Sequence, residues 1–79
     1  MKVPRDVDAR ELISLLRGYG YSIVRQTGSH IRLSKKLDEG DHNITIPNHV
    51  PIKIGTLHSI IKDICNVNGL NQNDFYRQL

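Results

Sequence analysis

Tryptophan is absent from this chain, and phenylalanine, methionine and cysteine occur once each. A core with so few large aromatic groups has to be assembled from Leu, Ile and Val. The lone Cys65 excludes an intramolecular disulfide, and Ile61, Ile64 and Val67 around it give it the setting of a small core residue. No segment approaches the roughly 18–20 consecutive apolar residues of a membrane span. The opening Met1-Lys2-Val3-Pro4-Arg5-Asp6 lacks the apolar run of a secretory signal. These absences lead to the expectation of a cytoplasmic protein. Motifs of several common chemistries are missing as well: there is no phosphate-binding loop of the Walker type, no dinucleotide fingerprint and no Ser–His–Asp order. His30, His42, His49 and His58 do not make a metal-ligand pattern, since His42 and His49 lie on either side of Pro47 and His58 falls in a helical repeat. No metal and no cofactor is expected.

What is present fits one small domain, residues 1–79. A chain this short buries only about 60–65% of the surface its unfolded form exposes, so part of its stability can depend on a partner. Lys and Arg number 11 against 8 Asp and Glu, a net charge of +3. The placement says more than the sum. Arg25, Arg32, Lys35 and Lys36 fall in one stretch without an acid, while the acids gather at Asp6, Asp8 and Glu11 and again at Asp38, Glu39 and Asp41. A local basic stretch suits a phosphate backbone. Taken alone it reads equally well as a solvated strand face.

The hydrophobic spacing sets the element order. Asp8 with Glu11 three residues on is a capping box, and Leu12, Leu15, Leu16 and Tyr19 follow at helical spacing, which places a first helix over residues 9–17. Gly18 and Gly20 stop it. Three strand-like runs come next, Tyr21–Arg25, His30–Ser34 and His42–Ile46, separated by Thr27-Gly28 and by the polar Leu37–Asp41. Pro47 and Pro51 bracket Asn48-His49-Val50, a stiff loop without helix propensity. A second helix opens near Gly55-Thr56 and carries Leu57, Ile60, Ile61 and Ile64, and a short last helix is expected over Phe75–Leu79. The expected fold is α+β, in the order α-β-β-β-α with a short C-terminal helix. Its three-stranded antiparallel sheet carries the helices on one face. Ile31, Leu33, Ile44 and Ile46 then face the core, and His30, Arg32, Ser34, Asn43 and Thr45 face out.

With Thr27-Gly28 as a two-residue hairpin loop, the opposed pairs are Gln26–Ser29, Arg25–His30, Val24–Ile31 and Ile23–Arg32. Val24 would join Ile31 over the core, and Arg25 would stand beside His30 on the open face. Imidazole exchanges a proton near neutral pH, and guanidinium groups hold phosphodiesters and stabilise the charge of their transition states. In RNA the 2′-hydroxyl is a built-in nucleophile beside each phosphate. A histidine among arginines therefore suits metal-independent RNA cleavage, although a histidine after a glycine turn also serves in purely structural roles.

Arg25-Gln26-Thr27-Gly28-Ser29-His30, then Ile44-Thr45-Ile46-Pro47 with His49, then Ile54-Gly55-Thr56-Leu57 and Ile60-Ile61-Lys62 form a combined pattern. With Leu12–Leu16 and Gly20-Tyr21 before it and Gly69-Leu70 and Phe75 after it, this pattern resembles the HicA toxins of toxin–antitoxin modules over nearly the whole chain. The resemblance implies a double-stranded-RNA-binding-domain-like fold. It implies an mRNA interferase, an endoribonuclease that arrests translation, neutralised by a HicB-like antitoxin covering the His30 face. It also implies that His30 is the catalytic residue. A non-catalytic RNA-binding module of the same fold is the alternative.

Gly28 is read as the residue that permits the turn, and Ser29 bonds within the turn or to a phosphate oxygen. Arg25, Arg32, Lys35, Lys36 and Lys53 are the candidate RNA contacts, and His49 is a phosphate contact or a second acid–base group. Gly55 and Thr56 open a helix whose free N–H groups either bind an anion or are a plain helix start. Cys65-Asn66-Val67-Asn68 is more polar than the end of the family's second helix, which leaves the length of that helix open.

Overall fold

In the computed structural model, which describes residues 6–79, the elements run α1 (Ala9–Arg17), β1 (Ser22–Thr27), β2 (His30–Leu37), β3 (Gly40–Pro47), α2 (Ile54–Asn68) and α3 (Gln72–Tyr76). The expectation drawn from residues 1–6 falls, for residues 1–5, outside the described residues. Asp8 caps α1, accepting from the Glu11 N–H at 2.8 Å, as the capping box predicts. The three strands pair in the order β1-β2-β3, antiparallel throughout.

Period-two alternation decides which sheet face is covered. Ile31, Leu33, Ile44 and Ile46 are buried and join Leu12, Leu16, Leu57, Ile61, Ile64 and Phe75 in one cluster. His30, Arg32, Asn43 and Thr45, pointing the other way, are exposed. Both long helices therefore pack on one face, and the opposite face is open along its length.

The first hairpin departs from the expected register. Its loop is Gly28-Ser29, so Thr27 pairs with His30, Gln26 with Ile31 and Arg25 with Arg32. Gly28, at the first loop position, has a φ of +45°, the positive value such a two-residue loop needs and that glycine adopts without strain. One residue further in, a β-bulge between Ile23 and Arg25 resets the pairing, so that Ile23 meets Leu33. The bulge leaves Val24 unpaired and 56% exposed. The expected Val24–Ile31 and Arg25–His30 pairs are therefore not formed. The loop begins one residue later than its sequence suggests, and the extra residue of the bulge returns Ile23 to the core side.

The strands also run longer than expected, because the second turn needs only Asp38-Glu39 between the paired Leu37 and Gly40. Helix α2 continues through the polar Cys65–Asn68 segment to a left-handed Gly69. Asn68 explains that length. Its side-chain N–H₂ donates to the Ile64 carbonyl at 2.8 Å and to the Tyr21 hydroxyl at 3.0 Å, and its carbonyl oxygen accepts from Lys35. Helix α3 starts earlier than expected, at Gln72, because the Asn71 side chain accepts from the Asp74 N–H at 3.1 Å.

Candidate active site

The register places His30 at the start of the central strand, opposite Pro47 on one side and Thr27 on the other. Ser29 Oγ lies 3.3 Å from His30 Nδ1. The Ser29 carbonyl accepts from the Asn48 N–H at 2.7 Å, which ties the hairpin tip to the chain leaving β3. Ser29 thus acts within the turn and against the ring. No hydrogen bond occupies His30 Nε2 among the described residues.

Immediately after β3, the Pro47 carbonyl accepts from the His49 N–H at 2.9 Å, so the chain folds back at Asn48. His30, Thr45, Pro47, His49, Lys53 and Thr56 line one shallow hollow. No acidic residue lines it. Its far wall is the start of α2. There Lys53 caps without a side-chain hydrogen bond, the first turn holds no acid, and Leu57 is the first residue whose N–H bonds back along the helix, to the Lys53 carbonyl at 2.8 Å. The N–H groups ahead of it and the positive end of the helix favour an anion at this end.

One row along the sheet, Arg25 and Arg32 stand directly opposite each other on the open face. Arg32 donates to Thr45 Oγ1 of the neighbouring β3 at 3.4 Å. Two like charges at opposed positions repel, and an anion held between them removes that cost. Arg32 is two residues from His30 on the same face, about 7 Å along the strand. Lys36 lies two rows beyond, exposed and opposite Asp41.

Lys35 falls elsewhere. The alternation turns it to the helix side, where it donates to Asn68 and its Nζ stands 5.7 Å from the Tyr21 ring centre. The structure therefore sets Lys35 apart from the His30 hollow, and with Lys36 it lines a separate one beside Asp41. His42 and His58 are also engaged away from the hollow. The Tyr21 hydroxyl lies 2.6 Å from His42 Nδ1, His42 Nε2 lies 3.2 Å from Asp63 Oδ2, and His58 Nδ1 lies 3.0 Å from the Tyr76 hydroxyl. Burial pushes the Tyr21 phenol above its ordinary value; the hydrogen bond from Asn68 opposes this and the nearby Asp63 carboxylate adds to it. Thr45 is the site residue that sequence reasoning undervalued. Its one signal was its place two residues before Pro47, on the same face as His30.

A family model described as HicA toxin of bacterial toxin-antitoxin matches residues 9–64. The chain belongs to the HicA toxin family. The matched span runs from the start of α1 into the last turns of α2 and includes His30, Arg25, Arg32, His49 and Lys53, with α3 lying beyond it. No curated protein and no solved structure matches the chain. HicA toxins pair with an antitoxin. No helix among the described residues of this HicA chain is long and apolar enough to cross a membrane, and they contain no group of three or more His, Cys, Asp or Glu placed to hold a metal ion.

The open-face geometry carries a quantitative expectation. If Arg25 and Arg32 each neutralise a phosphate of single-stranded RNA, alanine at either lowers the slope of log affinity against log salt by about 0.7. Lys35→Ala leaves that slope unchanged, because Lys35 is spent on Asn68 and Tyr21. Titrating a labelled RNA at several salt concentrations measures all three.

Proposed function

We propose that this HicA toxin is an mRNA interferase, a metal-independent endoribonuclease with His30 as its catalytic residue. Membership of a family whose proteins are generally mRNA interferases supports the activity. The observation that carries the assignment to His30 is its place in the hollow, exposed and beside Lys53 and the start of α2, with the Arg25–Arg32 pair one row away.

The chemistry follows from the RNA itself. The 2′-hydroxyl attacks the adjacent phosphorus, and the protein has to move protons and stabilise added negative charge. With Nδ1–H donating to Ser29 Oγ, His30 presents the Nε2 lone pair to the 2′-hydroxyl. Lys53 and the N-terminal N–H groups of α2 then face one side of the phosphate, and Arg25 and Arg32 hold the strand beside it. Lys36 extends the path along the open face, and Gly28 sets the turn. A HicB-like antitoxin neutralises the toxin by covering the His30 face.

The test is cleavage of a labelled mRNA fragment by the purified chain in excess EDTA. Cleavage is expected to persist, to leave a 2′,3′-cyclic phosphate, and to stop at a linkage whose 2′-hydroxyl is replaced by hydrogen. Loss of activity in EDTA, or cutting beside a 2′-deoxy sugar, overturns the mechanism. Salt-dependent RNA binding with no cleavage at all leaves a non-catalytic RNA-binding module instead.

A further inference from the structure

We propose that His49 is the second acid–base group of this site, the one that protonates the leaving 5′-oxygen. This deepens the endoribonuclease reading and rests on it. Cleavage by the 2′-hydroxyl requires two proton transfers at opposite ends of an in-line displacement. The bond from the 2′-oxygen to phosphorus forms as the bond from phosphorus to the 5′-oxygen breaks. The proton of the 2′-hydroxyl passes to His30. The electron pair of the broken bond stays on the 5′-oxygen, which takes a proton from the imidazolium of His49. The products are a 2′,3′-cyclic phosphate and a 5′-hydroxyl, and no other reactant is needed. One imidazole cannot stand on both sides of the phosphorus at once.

The geometry supplies the second imidazole. Pro47 is the direct cross-strand partner of His30. The turn closed by Pro47 and His49 brings the chain back at Asn48, and the Asn48 N–H bond to Ser29 fixes that turn against the hairpin tip. His49 consequently lines the same hollow as His30, from a different segment of the chain. The other lining residues are Thr45, Pro47, Lys53 and Thr56, so His49 is the second imidazole of the hollow. The remaining histidines, His42 and His58, are held by Tyr21 with Asp63 and by Tyr76. Lys53, lining the same hollow, serves the phosphate as a positive charge.

A sulfur-for-oxygen exchange in the leaving group separates this role from mere phosphate contact, because a thiolate leaves without being protonated. The experiment uses the full chain and an RNA oligonucleotide carrying either oxygen or sulfur as the bridging 5′ atom at a linkage the wild type cuts. With the oxygen substrate, His49→Ala is expected to slow single-turnover cleavage about 10²–10³-fold, and with the sulfur substrate to come within about tenfold of wild type. His30→Ala stays slow on both. His49 is exposed, so its truncation opens no cavity, and an unchanged thermal melt documents the fold. Equal slowing of His49→Ala on both substrates, or no slowing on either, overturns the assignment while leaving the endoribonuclease reading in place. Absence of cleavage by the wild type overturns that reading and this inference together.

Discussion

Replacing His30 by alanine is expected to slow RNA cleavage by about 10²–10⁴-fold, the usual contribution of a positioned proton-transfer group. Expression of the variant should no longer arrest growth. The fold should be nearly untouched. His30 is exposed, and its one side-chain hydrogen bond among the described residues is the 3.3 Å approach to Ser29, so stability is expected to change by no more than about 0.5 kcal/mol. RNA affinity should also survive, because Arg25, Arg32 and Lys53 remain. This separation of rate from binding is what a catalytic His30 requires. Single-turnover cleavage, a binding titration and a thermal melt on the same preparation measure the three quantities. A variant that cuts at the wild-type rate removes His30 from the chemistry. A variant that loses affinity and rate in proportion makes it a binding group.

The second large effect concerns the sheet that presents the site. Leu33 lies in the central strand, fully buried, with Ile23 and Ile44 as its cross-strand partners. Leu33→Ala removes buried methyl groups and leaves a void, at a cost of about 2–5 kcal/mol. For a domain of this size the total stability is on the order of 5–10 kcal/mol, so the variant sits close to unfolding. Val24→Ala makes the contrast. The bulge holds Val24 at 56% exposure, so its truncation should cost no more than about 0.5 kcal/mol. In the register with Val24 opposite Ile31, the same change would remove a core side chain and cost about 1–3 kcal/mol. Urea denaturation of the two variants therefore reads the register directly. A large loss in Val24→Ala would mean that the bulge is absent and that Arg25 stands beside His30 instead of Arg32.

Much of the fold is legible in local pattern. The Asp8–Glu11 box, the Leu12–Leu16 spacing, the alternation of Ile31 and Leu33 and of Ile44 and Ile46, and Gly69 after α2 each act through neighbours within a few residues. The places where expectation and structure part have a common character. The first hairpin loop was expected at Thr27-Gly28 and lies at Gly28-Ser29, because glycine serves either position of a two-residue loop. The bulge at Val24 sets Ile23 opposite Leu33, a pairing across strands that no neighbour in the chain announces. The polar end of α2 reads as a helix terminus until Tyr21 and Lys35 are known to meet Asn68. Lys35 reads as an RNA contact within an acid-free basic run, yet one position in the alternation turns it away from the open face.

The candidate site divides in the same way. Gly28, Ser29 and His30 are adjacent in the chain, and their relation is local. His49, Lys53 and Thr56 are far from them in sequence and reach the hollow only because β3 pairs with β2 and the chain then turns back at Asn48. By itself the sequence determined the element order, the covered and open faces of the sheet, and the family, since all of these rest on periodicity and on motifs of adjacent residues. Only the tertiary structure decided that Arg32, not His30, faces Arg25, that Lys35 belongs to the helix side, and that two histidines share one hollow. Those relations are set by strand register and loop closure, where a shift of one residue sends a side chain to the other face.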